Sequence, residues 1–148
     1  MEVSNFNLRV YGLLIHNRRI LITYEHRMGV DMIKFPGGGL EKGEGITDCL
    51  VREFKEELDV MIQPRGLFYV NDFLQVSAFN SKDQLISFYY FVEADKAVLT
   101  QIDALVDRLP ENKDQQTFVW VSIEQLMELD FTFPIDRVVV EKLSEKGF

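Results

Sequence analysis

A chain of 148 residues has the length of one domain, and such a domain buries roughly 70% of the surface its unfolded chain exposes. Apolar residues make up 47% of it and include 12 Phe, enough for a substantial core. A formal net charge of −8 argues against a general binder of nucleic acid or of acidic membranes. The single cysteine, Cys49, excludes an intrachain disulfide framework and suits a reducing compartment. No run is long enough to span a membrane, and the start, MEVSNFNLRV, lacks the basic-then-apolar order of a signal peptide. The expectation is a cytoplasmic protein of one domain, residues 1–148, with no membrane partner.

In chain order, residues 8–15 and 20–24 read as strands around a turn at 16–19, and residues 32–35 as a short strand feeding Pro36 and Gly37, Gly38 and Gly39. Residues 46–58 contain no Pro or Gly, and Ile46, Leu50, Phe54 and Leu58 recur every fourth residue, with Val51 beside them. That is an amphipathic helix, with Gly45 as N-cap and Asp48 at the positive end of the dipole. Residues 66–79 and 84–93 read as long strands joined by the turn at 80–83. Residues 98–109 carry apolar side chains at helical spacing up to Pro110. Residues 117–122 form a strand, Ser122 and Gln125 a capping-box pair opening a short helix to about Asp130, and residues 135–146 a last amphipathic helix after Pro134. The order β–β–β–α–β–β–α–β–α–α implies an α/β fold, a mixed sheet with helices on both faces.

The helix at 46–58 carries the chemistry. Residues three and four apart share a helix face, so Glu53, Glu56 and Glu57 project together beside the apolar stripe. Like charges at that spacing repel, and Lys55 lies too far round the helix to neutralise them. A bound cation would, because Mg²⁺ takes near-octahedral oxygen coordination from a few carboxylates, waters and substrate phosphates. The glycines at 37–39 permit backbone conformations closed to other residues and let main chain approach a metal or a phosphate. Cys49, one turn before Glu53, reads as a small buried hydrophobe.

From Gly38 to Val60 the chain reads GGLEKGEGITDCLVREFKEELDV, and here it resembles the Nudix hydrolases. The signature of that family is Gly-x5-Glu-x7-Arg-Glu-U-x-Glu-Glu-x-Gly-U, with U a bulky aliphatic residue. Gly38, Glu44, Arg52, Glu53, Glu56, Glu57 and Val60 match it. Phe54 stands at an aliphatic position, which concerns the core. Asp59 stands where the family has Gly, at a left-handed C-cap that Asp tolerates better than most residues. Neither departure removes a carboxylate.

The resemblance implies a Nudix α/β/α sandwich around a central mixed β-sheet, and hydrolysis of a diphosphate linkage with Mg²⁺ or Mn²⁺. It implies that the Gly37 carbonyl joins Glu53, Glu56 and Glu57 around the metal, which polarises a phosphoryl oxygen and generates a hydroxide-like water. Arg52, always charged and suited to bidentate bonding, is expected to orient Glu53. Glu44 is expected to act through water or to tie the loop to the helix. Gly38, Gly39 and Arg27 are the candidate substrate contacts, and Lys34, which with Arg27 flanks the strand before the glycines, is a second cation placed to meet substrate phosphates. The candidate general base outside the motif is Asp114, with Glu93 and Glu111 as the other acids considered and Glu53 itself next in line. His16 and His26 have no ligand-like spacing, and Phe73, Phe79, Phe88, Phe91 and Trp120 read as core aromatics.

The expected partner is a small-molecule diphosphate or nucleotide, not nucleic acid. The helix at 98–109 is expected beside the active-site cleft or against a second copy in a homodimer. Two other function classes share the fold. An inactive nucleotide-binding or sensor module would have lost ligand carboxylates or gained a DNA-binding domain. An isoprenoid diphosphate isomerase would need a catalytic Cys, and Cys49 lies inside the helix. Which diphosphate is cut lies in loops that the motif does not specify.

Overall fold

The computed structural model describes residues 2–106 and 116–147. The elements are β1 (Asn5–His16), β2 (Arg19–Arg27), β3 (Val30–Lys34), β4 (Gly37–Gly39), α1 (Ile46–Leu58), β5 (Gln63–Val70), β6 (Asp83–Glu93), α2 (Lys96–Val106), β7 (Thr117–Ser122), α3 (Ile123–Leu126) and α4 (Pro134–Lys146). The candidate base Asp114, with Glu111 and the end of the 98–109 helix, lies outside the described residues.

β1 organises the sheet. It runs parallel to β6 from Asn5 to Leu14, antiparallel to β4 at Arg9–Tyr11, and pairs β2 only at Ile15 and His16. Beyond it, β2 carries β3 on one side and β7 on the other, both antiparallel, while β5 closes the far edge against β6. The sheet is mixed, as expected. Every residue from Val10 to Leu14 is buried because both faces of β1 are covered. Tyr11 and Leu13 pack with Val139, Val140 and Leu143 of α4, whereas Val10 and Leu14 pack with Leu50, Phe54 and Leu58 of α1 and Ile102 of α2. α2 lies against β7, where the Trp120 indole N–H donates to Asp103 at 2.8 Å.

Two expectations need correction. The glycines at 37–39, read from the sequence as part of the loop before the helix, form a short strand, because their bare backbone can lie tightly on β1. The strand expected over 66–79 ends at Val70. There the buried Asn71 side chain takes over the ladder, accepting from Ser87 N at 2.8 Å and donating to the carbonyls of Phe73 and Leu85 at 3.0 and 3.1 Å. The chain then leaves the sheet as a loop that touches β6 again only at the Val76–Gln84 bridge.

α1 spans the residues its period foretold. Asp48 accepts from the N-cap amide of Gly45 at 3.1 Å. Asp59 closes the helix at φ 54°, ψ 40°, and its carboxylate receives Lys55 Nζ at 2.6 Å, so a polar side chain stands in for the usual glycine. Phe54 fits because Gly12 lies opposite it on β1. A methyl group on Gly12 would meet Phe54 Cε1 at 2.6 Å and Cζ at 2.8 Å. Gly12→Ala is therefore expected to destabilise the fold by about 1–3 kcal/mol, the usual scale of overpacking. Urea unfolding would show it, and Phe54→Leu in the same background should recover most of the loss.

Candidate active site

The two glycines ahead of α1 are required by close contacts. Gly37 has φ 151°, and a Cβ there would sit 2.0 Å from the Val10 carbonyl oxygen. A Cβ on Gly38 would lie 2.3 Å from Glu53 Oε1 and 2.5 Å from Oε2. Glu53 therefore rests its carboxylate on bare backbone. The sequence suggests close approach of this backbone to a metal or a phosphate; the close contacts found are to β1 and to Glu53.

Arg52 gathers the motif. Its Nε and Nη2 bind the Glu44 carboxylate as a fork at 2.9 and 2.7 Å, and Nη2 also donates to the Gly39 carbonyl at 2.9 Å. Nη1 reaches Glu53 Oε1 at 3.0 Å and Glu56 Oε2 at 3.2 Å. Glu44 accepts from the Glu41 amide at 2.9 Å as well, so it ties the loop to the helix, one of its two expected tasks. Hydrogen bonds from Arg52 hold the Glu44 carboxyl down at about 2, and Glu44 in turn raises the Arg52 guanidinium above its ordinary value. Arg52 sits where it can orient Glu53.

The three helix carboxylates meet different surroundings. Glu56 is exposed and held by Arg52. Glu53 is half-buried, and burial raises its pKa against the pull of Arg52. Glu57 turns inward, where burial and then Glu53 push it up to about 7, against the nearby Lys34 ammonium. Among the described residues Glu57 Oε2 has no hydrogen-bond partner, although the Gln116 amide lies beside it. Among the described residues no three His, Cys, Asp or Glu side chains form a ready metal cage in this conformation. The donor set nevertheless suits a hard divalent cation. An orphaned buried carboxylate oxygen beside a second carboxylate is a place where a cation would relieve both desolvation and repulsion.

A cavity of about 410 Å³ opens beyond Arg9 and Lys34, and none of Glu53, Glu56 and Glu57 lines it. Arg9 and Lys34 line it and connect it to the helix, since Arg9 interacts with Glu53 and Lys34 with Glu57. Burial opposes charge on Arg9, yet Tyr11, whose hydroxyl accepts from Nε at 3.2 Å, and Glu53 hold its pKa above the ordinary value. Beside Tyr11 on the neighbouring strand, Tyr89 donates its hydroxyl to the buried Asp136. Arg27 is on the cavity lining as expected of a substrate contact, its guanidinium 4.6 Å from the Phe79 ring centroid. Phe79 is thus a cavity residue instead of a core one, edge-on to Phe133, and Phe73 is exposed. His26 pairs with Asp31 at 2.7 Å on an exposed hairpin, and His16 is exposed; neither lines the cavity. None of the described α2 residues lines it either.

Sequence reasoning passed over Arg9, Glu25, Asp136 and Gln116. Asp136 had a signal, an acid on the same helix face as Val139, Val140 and Leu143. Arg9 interrupts an apolar strand. Glu25, which pairs with Lys34 at 2.9 Å, had no signal of spacing at all.

With the geometry established, comparison with known proteins gives the family. The NUDIX domain profile matches residues 6–143. An RNA pyrophosphohydrolase of Campylobacter jejuni subsp. jejuni serotype O:2 is 29% identical over 136 residues, covering 86% of this chain and 83% of that protein. The MutT protein of Methanosarcina mazei Go1 superposes with a TM-score of 0.70 at 17% identity, covering 97% of this chain and 96% of that one. A NUDIX hydrolase from Nitrosomonas europaea does so at 0.67 and 20%, covering 95% and 89%. These structural likenesses show the fold. The chain belongs to the Nudix family, whose hydrolases generally need a divalent metal, and it is a pyrophosphohydrolase that cleaves a diphosphate linkage.

The buried acid on the cavity wall gives the protein a pH dependence. Burial pushes Asp136 from 3.8 up to about 7, against the opposing effects of the Tyr89 hydrogen bond and of Lys34. An acid with a raised folded pKa holds more protons folded than unfolded. Its contribution is therefore fully present below about pH 4 and is lost as pH rises through about 7, at up to about 1.4 kcal/mol per pH unit. Thermal midpoints measured from pH 5 to pH 8 without metal should fall more steeply for the wild type than for Asp136→Asn. Parallel curves would show that Asp136 titrates normally.

Proposed function

We propose that this pyrophosphohydrolase acts on a nucleotide-linked diphosphate with Mg²⁺ or Mn²⁺, the nucleoside occupying the cavity beside the motif helix. The observation that carries this reading is the shared boundary. Arg9 and Lys34 belong to the cavity lining and also neighbour Glu53 and Glu57. About 410 Å³ falls within the range of small-molecule sites, and Tyr11, Tyr89, Phe79 and Phe133 offer apolar and aromatic walls with polar groups between them. A site that joins carboxylates to an aromatic cavity suits a substrate with a charged diphosphate at one end and a flat ring at the other.

In this reading Glu53, Glu56 and Glu57, with the Gly37 carbonyl, would hold the metal, releasing Glu53 and Glu56 in part from Arg52. When bound, the ion supplies Lewis acidity to a phosphoryl oxygen and lowers the pKa of an attacking water. Arg52 fixes the rotamer of Glu53 and keeps the Glu44 loop closed on the helix. Gly38 and Gly39 bring main chain to the substrate edge, and Arg27, stacked on Phe79, closes the far rim over the nucleoside. The general base is assigned to Asp114, with Glu53 as the alternative.

Loss of one electrostatic group from a hydrolytic site costs about 100-fold or more in kcat, so Glu56→Gln and Glu57→Gln are each expected to reach that loss with the fold intact. Near wild-type turnover for both at saturating Mg²⁺ would remove them from the metal site. The substrate is found by incubating the protein with nucleoside triphosphates, nucleotide sugars, ADP-ribose, dinucleotide polyphosphates and 5′-triphosphorylated RNA, with Mg²⁺ or Mn²⁺, and weighing the products. Cleavage of mononucleotide compounds in preference to RNA is expected from the cavity size and the charge of −8. Preference for the RNA 5′ end would favour the activity named in the Campylobacter relatives instead.

A further inference from the structure

Lys34 is the least conventional charge in the cavity. Only 8% of the residue is exposed, yet it carries an ammonium. That ammonium pairs with Glu25 Oε2 at 2.9 Å, an acid only 21% exposed on the neighbouring strand β2. An ammonium has three donors, so two of them lack a partner among the described residues. Such donors are costly to bury unless something accepts from them. The surroundings share the deficit. Thr23, directly opposite Lys34 in the β2–β3 register, is fully buried with an unpartnered hydroxyl oxygen, and Glu57 keeps its own unpartnered oxygen. Lys34 acts electrostatically on both Glu57 of the carboxylate helix and Asp136 of the cavity lining.

A core that needed only packing would place an apolar residue here, since replacing a buried ion pair with hydrophobic side chains is often neutral or stabilising. Maintaining the pair, with donors left over and a cavity in front of them, serves a ligand. The ligand must present acceptors and negative charge, and it must lie next to Glu57. A phosphoryl oxygen meets both conditions. Arg27 is less suited to the task, because it is exposed at the rim and engaged with Phe79.

We infer that Lys34, held upright by Glu25, is a substrate-contacting cation that takes a non-bridging oxygen of the diphosphate, and that Glu25 is its positioning residue. This rests on the nucleotide-diphosphate reading above. A strongly hydrated point charge such as an ammonium suits one phosphoryl oxygen without demanding the planar match of a guanidinium. The contact reads the phosphate and not the base, so it sets affinity for the charged end of any substrate in the class.

The test compares wild type, Lys34→Met, Lys34→Arg and the neutral double variant Glu25→Gln/Lys34→Met, which avoids stranding a buried acid. Affinities for ADP, GDP and inorganic pyrophosphate are measured by calorimetry with Mg²⁺, alongside thermal midpoints and kcat and KM on whichever panel substrate is cleaved. Lys34→Met and the double variant should weaken ADP and GDP by the same factor, about 10- to 100-fold, the range for a hydrogen bond to a charged group. Pyrophosphate should weaken likewise, KM should rise more than kcat falls, and Lys34→Arg should recover part of the loss. The inference is overturned if the folded double variant binds all three as the wild type does, since the pair is then structural. A loss that differs between ADP and GDP with pyrophosphate untouched also overturns it, because Lys34 then reads the base. If the wild type itself binds none of the three and cleaves nothing in the panel, the nucleotide reading has failed first.

Discussion

The Arg52 guanidinium is the constraint on which the rest of the site depends. Its donors reach the loop through Glu44 and the Gly39 carbonyl, and the helix through Glu53 and Glu56. Without that cation, three carboxylates would face one another across a few ångströms with little to balance them. The same bonds fix the distance between β4 and α1. Glu53 can then rest against Gly38 only because the position has no side chain, and β4 can lie on β1 only because Gly37 has none. Charge and sterics therefore select the same geometry.

That geometry explains which parts were legible in the sequence. The helix at 46–58 was readable because its apolar period is unbroken and its cap residues sit at both ends, and the carboxylates came with it. The hairpin at 16–19 and the strand at 117–122 were readable for similar local reasons. The glycines were read as loop because strand propensity disfavours Gly, and no local signal reveals a partner strand that demands bare backbone. The early end of β5 was hidden because a single side chain, Asn71, replaces the ladder through contacts 14 and 16 residues away. Asp136 and Glu25 were hidden for a related reason, since each matters only through a residue on another element.

The departure at Phe54 shows how the core absorbs change without touching the chemistry. A ring in place of an aliphatic side chain needs extra room on the sheet side of α1, and Gly12 supplies it at the centre of the best-covered strand. Glycine in a strand costs stability through backbone entropy. Here that cost is offset by complete burial of Phe54, which on the usual scale contributes about 1.5–3 kcal/mol. The carboxylates, on the other side of the helix axis, keep their positions because the helix has no reason to shift. Asp59 works in the same way at the C-terminus, where Lys55 one turn earlier neutralises it.

The distribution of charge then separates two kinds of acid. Glu44 and Glu56 are matched to Arg52 and have no proton to give near neutral pH in the case of Glu44, whose pKa is held at about 2. Glu57 and Asp136, both brought to about 7 by burial, are under-compensated, and Lys34 acts on both. A single ammonium already paired with Glu25 cannot satisfy two more acids in a medium of low dielectric. The folded chain thus keeps a deficit of positive charge beside Glu57, whose Oε2 has no hydrogen-bond partner among the described residues, and a divalent ion would supply it.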